Sequence, residues 1–225
     1  MKTIASLALL FTAFAPSIAS ADALKDSATK VFAERKTNVV RLTVTRKISE
    51  KDRVFEVTAT SYDGKGTLVT ALGRLEGGQK GELVRVAMFQ EDGSEVEGDL
   101  VLTDPKLDLA FIKLRLGEEG ADAPVFPAAV PLASDKVALL DDLIGITRYG
   151  AGFQREASVA LIEVAAIIET PRLLFLPSAG LPDGAAAFNT KGELVGMMAR
   201  VDRQPVLVPA AAIQKLAETI KPEEK

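Results

Sequence analysis

Apolar residues recur at three- and four-residue spacing near the start of this chain. Within residues 23–35 they fall at Leu24, Ala28, Val31 and Phe32, with Lys and Asp residues between them. Because an α-helix turns once in about 3.6 residues, this spacing places the four side chains on one face. The pattern predicts an amphipathic helix from Ala23 to Arg35.

After Asn38 the period changes to two. Apolar and polar residues alternate from Val40 to Thr45 and, after a charged turn, from Phe55 to Ala59. Alternation places successive side chains on opposite faces of a strand, so this pair predicts a β-hairpin. Turns that contain Gly, Asp or Pro separate the further strand candidates. These are Thr67–Ala71, Leu83–Phe89, Gly98–Leu102, Leu109–Leu114, Val137–Leu140, Leu143–Thr147, Ala157–Ile168, Leu173–Leu176, Leu194–Ala199 and Val206–Val208.

The strand candidates form two sets, separated by a Pro-containing connection at Gly117–Pro131. No helical pattern lies between most of them, which argues against an alternating α/β fold. The arrangement predicts an all-β fold of two packed antiparallel barrels. We expect one domain over 22–225, with the first barrel at about 37–120, the second at about 128–209 and a closing helix at 210–220.

The first residues have the form of a secretory signal peptide. A basic end at Lys2 precedes the apolar run Ile4–Phe14, and Ala19-Ser20-Ala21 has the small residues that a signal peptidase recognises. We therefore expect cleavage near Ala21 and export to the periplasm or the exterior. A short buried helix is the alternative. The run is too short for a permanent membrane span, and none is expected elsewhere.

Composition narrows the chemistry. The 225 residues include no His, Cys or Trp, and the formal net charge is −4. Without histidine or cysteine the chain cannot form a Ser-His-Asp triad, a His-ligated metal site or a disulfide. An acidic chain is a poor match for nucleic acid. The sequence predicts no cofactor, no metal and no nucleic-acid partner.

Three segments, in this order, resemble trypsin-like serine proteases of the exported HtrA type. They are Gly66–Gly73 (GTLVTALG), Thr103–Leu114 (TDPKLDLAFIKL) and Gly180–Gly196 (GLPDGAAAFNTKGELVG). The resemblance extends over roughly residues 22–220. It implies a trypsin-like fold with two six-stranded antiparallel barrels, a short N-terminal helix and a C-terminal helix. Family members often continue into a PDZ domain, which this sequence is not expected to have.

The same resemblance places the catalytic triad. Gly73 stands where the family has the general-base His, and Asp108 stands where it has the Asp that orients this His. Counting back six residues from Asn189 puts Asp183 at the nucleophilic Ser. The nearest serine, Ser178, does not fit that register. The resemblance therefore implies a pseudoprotease that has lost its base and its nucleophile.

Two further substitutions affect the loop that would stabilise an oxyanion. Leu181 and Ala185 replace glycines of the family motif, so the loop need not have the family's shape. For Asp108 we expect a structural role in which backbone N–H groups or a hydroxyl satisfy the carboxylate. Pro182-Asp183-Gly184 has the composition of a turn. An alternative is that the two carboxylates bind a cation or share a proton.

The expected function is non-catalytic binding of a protein or an extended peptide, or scaffolding, in the cell envelope. Proteases of this fold add peptides as a strand beside the cleft. The corresponding edge here comprises Met197, Met198, Ala199, Arg200 and Val201. A hydrolase with residual or altered activity is the alternative function, and a purely structural envelope protein is another. The sequence leaves the oligomeric state and the identity of the partner open.

Overall fold

The computed structural model describes residues 18–78, 81–90, 92–115, 126–134 and 136–220. Within these ranges strands predominate, and three α-helices accompany them: α1 (Ile18–Arg35), α2 (Leu72–Glu76) and α3 (Ala210–Ala217). Helix α1 includes the predicted helix and begins five residues before it. Helix α3 follows the last strand directly and matches the predicted closing helix, apart from its final turn.

Six antiparallel strands close the first barrel in the order β1-β2-β3-β6-β5-β4. The strands are β1 (Val39–Ile48), β2 (Lys51–Ser61), β3 (Thr67–Ala71), β4 (Glu82–Phe89), β5 (Glu95–Asp104) and β6 (Leu109–Leu114). The predicted hairpin is confirmed, since β1 pairs with β2 over its whole length. Inward-facing side chains such as Leu42, Leu68 and Ile112 are fully buried and fill the barrel.

The second barrel closes in the order β10-β11-β12-β9-β8-β7. Its strands are β7 (Asp142–Arg148), β8 (Ala157–Ile168), β9 (Leu174–Pro177), β10 (Ala186–Phe188), β11 (Leu194–Val201) and β12 (Gln204–Pro209). When β7 is matched to β1 and the rest follow in chain order, the two barrels have the same strand order. The sequence has no matching repeat, because many side-chain combinations satisfy the same inward and outward alternation.

The two barrels pack through a shared apolar layer. Strands β3 and β6 of the first barrel contribute Val69 and Phe111, and β11 of the second contributes Met197, all at most 1% exposed. Helix α3 covers this layer with Ile213. Burial of large side chains from both barrels fixes their relative position, and the cleft between them is where the candidate site lies.

One predicted strand is wrong. Val137–Leu140 is an irregular segment that ends in a turn, although its four residues are apolar. Val137 packs against the second barrel, whereas Leu139 and Leu140 are 60% and 72% exposed. Leu140 has a left-handed φ of 64°, and the Asp141 carboxylate accepts the N–H of Ala138 at 2.7 Å. The turn stabilised by Asp141 therefore determines the backbone conformation of this segment, although its residues are apolar.

Two short elements are missing from the sequence prediction, α2 and the three-residue strand β10. Both are too short to show a period, and β10 is buried on both faces. Part of the predicted connection at Gly117–Pro131 lies outside the described residues. Most of the predicted signal peptide, including its apolar run Ile4–Phe14, lies outside them as well. Among the described helices, none combines the length and the apolar character that a membrane span requires.

Candidate functional site

Asp108 lies in the tight turn between β5 and β6, and its carboxylate joins the two barrels. Oδ1 accepts the backbone N–H of Gly73 at 2.7 Å, and Oδ2 accepts the backbone N–H of Arg200 at 2.8 Å. Asp104 shapes the turn by accepting backbone N–H groups through its own carboxylate. The expectation that backbone donors would satisfy Asp108 is thus confirmed.

Gly73 occupies the first turn of α2, directly after β3. The backbone N–H of the preceding Leu72 donates to the carbonyl of Asp108 at 2.9 Å, so the helix start is fixed to this turn. A Cβ atom on Gly73 would lie 3.3 Å from Oδ1 of Asp108. The Asp108 carboxylate therefore lies within contact distance of the point where a larger side chain at residue 73 would begin.

Asp183 forms part of a turn, as the Pro-Asp-Gly composition predicts, in which Ala185 N–H donates to the Pro182 carbonyl at 3.1 Å. Its side chain is only 2% exposed. Oδ2 accepts hydrogen bonds from Nε of Arg74 and from Nε of Arg200, both at 2.8 Å. Within the described residues, Oδ1 is buried and has no hydrogen-bond partner. A buried carboxylate requires a cation, and here two arginines provide it.

Arg200 connects both aspartates. Its backbone N–H binds Asp108, and its guanidinium binds Asp183. The hydrogen bond to Asp183, together with the negative charge of that carboxylate, raises the pKa of the Arg200 guanidinium above its usual value. The three positions at which the resemblance places the triad are therefore linked by a network of hydrogen bonds and ion pairs.

Gly184 allows this loop to approach the first barrel. Its φ is +87°, and a Cβ atom there would lie 2.0 Å from the carbonyl oxygen of Thr58. Its own carbonyl accepts the hydroxyl of Thr60 at 3.1 Å, and its N–H donates to Met198 at 2.8 Å. Only glycine fits this conformation and this distance without strain.

The remaining residues singled out around the loop have structural contacts. Leu181 is 8% exposed and lies over Gly145, where a Cβ atom would be 2.4 Å from Leu181 Cδ1. Ala185 is fully buried. The Ser178 hydroxyl accepts the N–H of Glu163 at 2.9 Å, between β8 and β9. Ser178 therefore makes its hydrogen bond to the backbone of β8, and Leu181 fills core volume.

The predicted peptide edge, Met197–Val201, is the second half of β11. Met197, Met198 and Ala199 are fully buried. All five residues pair with β12 on one side. On the other side Met198 exchanges hydrogen bonds with Gly184 and Ala185, and the Arg200 N–H is bound to Asp108. Of the five residues, only Arg200 is exposed and only Val201 is half-buried.

A groove with a volume of about 990 Å³ lies elsewhere between the barrels. Arg41 and Arg155 on its walls both pair with Glu56, and Arg155 lies 3.5 Å above the ring centre of Phe89. Burial lowers the pKa of Arg41 below its usual value. None of the three triad-equivalent residues lines this groove, nor a second cavity of about 260 Å³.

Sequence reasoning missed the roles of Arg74 and of the Arg200 guanidinium. Both are exposed arginines on short elements, and nothing in their local pattern indicates a partner. The available signal is indirect. Asp183 lies in an otherwise apolar segment, so its carboxylate requires a cation if it is buried. Arg74 directly follows Gly73, which the resemblance places near Asp183. In the described ranges, no group of three or more His, Cys, Asp or Glu residues forms a metal site.

The sequence matches no protein-family model and no curated protein. A solved structure of an HtrA-type protease, AlgWS227A with tripeptide, has a similar fold, with a TM-score of 0.65 and 18% sequence identity. The match covers 86% of this chain and 63% of that one, so this chain spans less than two thirds of the length of that protease. Together with the two closed six-stranded barrels, this similarity establishes the trypsin-like fold.

Proposed function

We propose that this chain is a pseudoprotease, a catalytically inactive protein of the trypsin-like fold, and that it binds polypeptide without cleaving it. The observation that supports this best is the network at the triad-equivalent positions. Gly73 offers no base, and both Asp108 oxygens accept backbone N–H groups. Hydrolysis by the family's mechanism requires a base within hydrogen-bond reach of the nucleophile.

Asp183 argues in the same direction. Its carboxylate stands where a nucleophilic hydroxyl would be, and a negative charge there opposes the oxyanion that forms during acyl transfer. Arg74 and Arg200 occupy Oδ2, while Oδ1 is buried. The alternative of a hydrolase with altered chemistry would need Asp108 or Asp183 as its base, and the existing contacts of both carboxylates disfavour that role.

The proposed polypeptide contact is the accessible end of β11. Arg200 and Val201 are the two residues of the predicted edge that reach the surface, and Arg200 links the two barrels through its N–H bond to Asp108. The neighbouring Met197 and Met198 contribute to the core rather than to the surface. A bound segment would therefore contact the side chains of Arg200 and Val201 more than the strand's own backbone donors.

The proposed location is the cell envelope, following cleavage of the predicted signal peptide near Ala21. This part of the proposal depends on the sequence pattern alone. N-terminal sequencing by mass spectrometry of the protein from its native source tests it. A mature chain that begins at Asp22 is the expected result, and a native chain that retains Met1 and the apolar run would contradict export.

Binding is tested with fluorescein-labelled, permanently unfolded casein, measured by fluorescence anisotropy, with the mixture then examined for fragments by mass spectrometry. We expect saturable binding and intact casein. Val201→Glu should weaken binding, because it places a charge at the proposed contact. Val54→Glu is the control for the added charge, since Val54 is 65% exposed on the first barrel. Oligomers without affinity for casein would instead favour a purely structural role.

A further inference from the structure

Arg74 and Arg200 come from different barrels and share one acceptor atom. Arg74 lies in α2, after the third strand of the first barrel, and Arg200 lies on β11 of the second. Both donate through Nε to Oδ2 of Asp183 at 2.8 Å. The carboxylate is 2% exposed, whereas the arginine side chains are 57% and 49% exposed. Asp183 thus holds two cations side by side at the cleft surface.

Each guanidinium keeps its terminal N–H groups available. The hydrogen bonds to Asp183 use only Nε. In the part of the chain that the structure describes, the Nη1 and Nη2 atoms of both arginines have no hydrogen-bond partner. A guanidinium is a planar fork whose geometry matches the two oxygens of a carboxylate. The pair therefore presents two such forks to solvent.

The acidic groups around the pair are already satisfied within the protein. Both oxygens of Asp108 accept backbone N–H groups, and Asp104 accepts two more in the adjoining turn. Arg172, whose Nη1 donates to the Lys106 carbonyl at 2.7 Å, adds another cation beside that turn. The carboxylates of Asp108 and Asp104 are thus occupied by backbone donors of the protein itself, whereas the terminal N–H groups of Arg74 and Arg200 have no partner among the described residues.

The strand edge next to the pair offers few backbone donors. Met198 already pairs with the loop at Gly184, and the N–H of Arg200 is bound to Asp108. Addition of a peptide strand through its backbone is therefore limited here, and recognition shifts to the guanidinium groups.

We infer that Arg74 and Arg200, preorganised by Asp183, form a clamp that binds a carboxylate of a polypeptide. The carboxylate is either the free C-terminus or an Asp or Glu side chain. Assigning the ligand as part of a polypeptide rests on the function proposed above. In this proposal, the part of the fold that cleaves peptides in active proteases binds a carboxylate in this protein.

A charge-assisted hydrogen bond to a guanidinium contributes enough binding free energy for about a tenfold or larger difference in affinity. N-acetyl-Ala-Ala-Ala with a free carboxylate should therefore bind at least about tenfold more tightly than its C-terminal amide. N-acetyl-Ala-Asp-Ala-amide tests the side-chain carboxylate. The measurement is a ¹H–¹⁵N NMR titration of the arginine Nε signals in the unmodified protein, which requires no variant to fold.

Variants then assign the site. Arg74→Gln with Arg200→Gln should abolish the preference for the free acid, and Arg53→Gln, the same change of charge near the tip of the first hairpin, should preserve it. Arg74→Lys with Arg200→Lys keeps the charge and should still lose affinity, because the fork is absent. Shifts of the Arg74 and Arg200 signals by either carboxylate peptide support the clamp. If neither carboxylate peptide binds more tightly than N-acetyl-Ala-Ala-Ala-amide, or if neither shifts these signals, the clamp is wrong.

The two proposals fail separately. If unfolded casein binds but neither carboxylate peptide binds more tightly than the peptide amide without a carboxylate, the clamp is wrong and polypeptide binding stands. If the free acid shifts the Arg74 and Arg200 signals while casein does not bind, the clamp stands and polypeptide binding is wrong.

Discussion

Arg200 contacts Asp183 through its guanidinium, with Nε 2.8 Å from Oδ2, at the place where the resemblance to HtrA-type proteases puts the nucleophile. The contact joins the end of β11 to the loop before β10. Arg74 makes the equivalent contact from the first barrel. The carboxylate of Asp183 is buried and its two arginines are half-exposed. Removal of one arginine should therefore lower the free energy of unfolding less than removal of the second, because the first removal still leaves one cation on the carboxylate.

We predict that substitutions of the two arginines are strongly non-additive. Arg74→Ala or Arg200→Ala alone leaves one guanidinium on Asp183 and should lower the free energy of unfolding by about 1 kcal/mol. The double variant leaves a buried charge without a cation and should lose about 3–5 kcal/mol. Urea unfolding of the four proteins of this double-mutant cycle measures the coupling.

A rescue provides the control for that cycle. Adding Asp183→Asn to the double variant removes the unpaired charge and should recover most of the lost stability. Additive losses for the two arginines, or no recovery with Asn, would show that Asp183 does not depend on them.

The two glycines beside the site should respond differently to a methyl group. Gly184→Ala meets the Thr58 carbonyl at 2.0 Å and requires an unfavourable φ of +87°, so we expect a loss of at least about 2 kcal/mol. Gly73→Ala places its Cβ 3.3 Å from an Asp108 oxygen that can shift slightly. Its cost should stay within about 1 kcal/mol. Thermal unfolding of both variants is the measurement, and equal losses would contradict the described approach of Gly184 to β2.

Substitution of Met197 tests whether this residue belongs to the core or to the peptide contact. It is fully buried between the barrels. Met197→Ala should lower the free energy of unfolding by about 2–5 kcal/mol and leave casein binding unchanged at a temperature where the variant is folded. Val201→Ala, on the same strand and half-buried, is the comparison and should cost less. Loss of binding by a stable Met197→Ala protein would instead return Met197 to the peptide contact.

Alkaline pH tests the environment of Tyr62. Burial, followed by the negative charges of Asp63 and Glu218, raises the pKa of Tyr62 from 10.0 to about 12. Its neutral form is thus favoured in the folded state. Stability from this residue is complete below pH 10.0 and is lost as pH rises toward about 12. In Tyr149→Phe, which leaves Tyr62 as the sole tyrosine, phenolate absorbance should rise near pH 12. A midpoint near pH 10 would contradict this environment.

Much of the architecture could be predicted from short apolar segments bounded by Gly, Asp and Pro turns. Such segments marked Thr67–Ala71, Leu109–Leu114 and Ala157–Ile168, and these bounds match β3, β6 and β8. The prediction of a strand at Val137–Leu140 is wrong because the turn at Asp141 determines the backbone of this apolar run. The shared strand order of the two barrels could not be predicted, because the two halves of the sequence have no matching repeat.

The site was only partly predictable. The resemblance to the protease motifs directed attention to Gly73, Asp108 and Asp183, and the backbone partners of Asp108 followed from the cost of burying a charge. The arginines that bind Asp183 depend on which exposed side chains the two barrels bring together, 109 and 17 residues away along the chain. The residues next to each arginine in the sequence do not indicate which distant residue its side chain will contact.

The proposed pseudoprotease would have a structural network, rather than catalytic groups, at Gly73, Asp108 and Asp183. The most direct test is the time course of casein cleavage by the purified protein, compared with Asp108→Asn and Asp183→Asn at equal concentration and neutral pH. We predict no cleavage by the unmodified protein, and none by either variant. Cleavage by the unmodified protein that either substitution abolishes would contradict the claim.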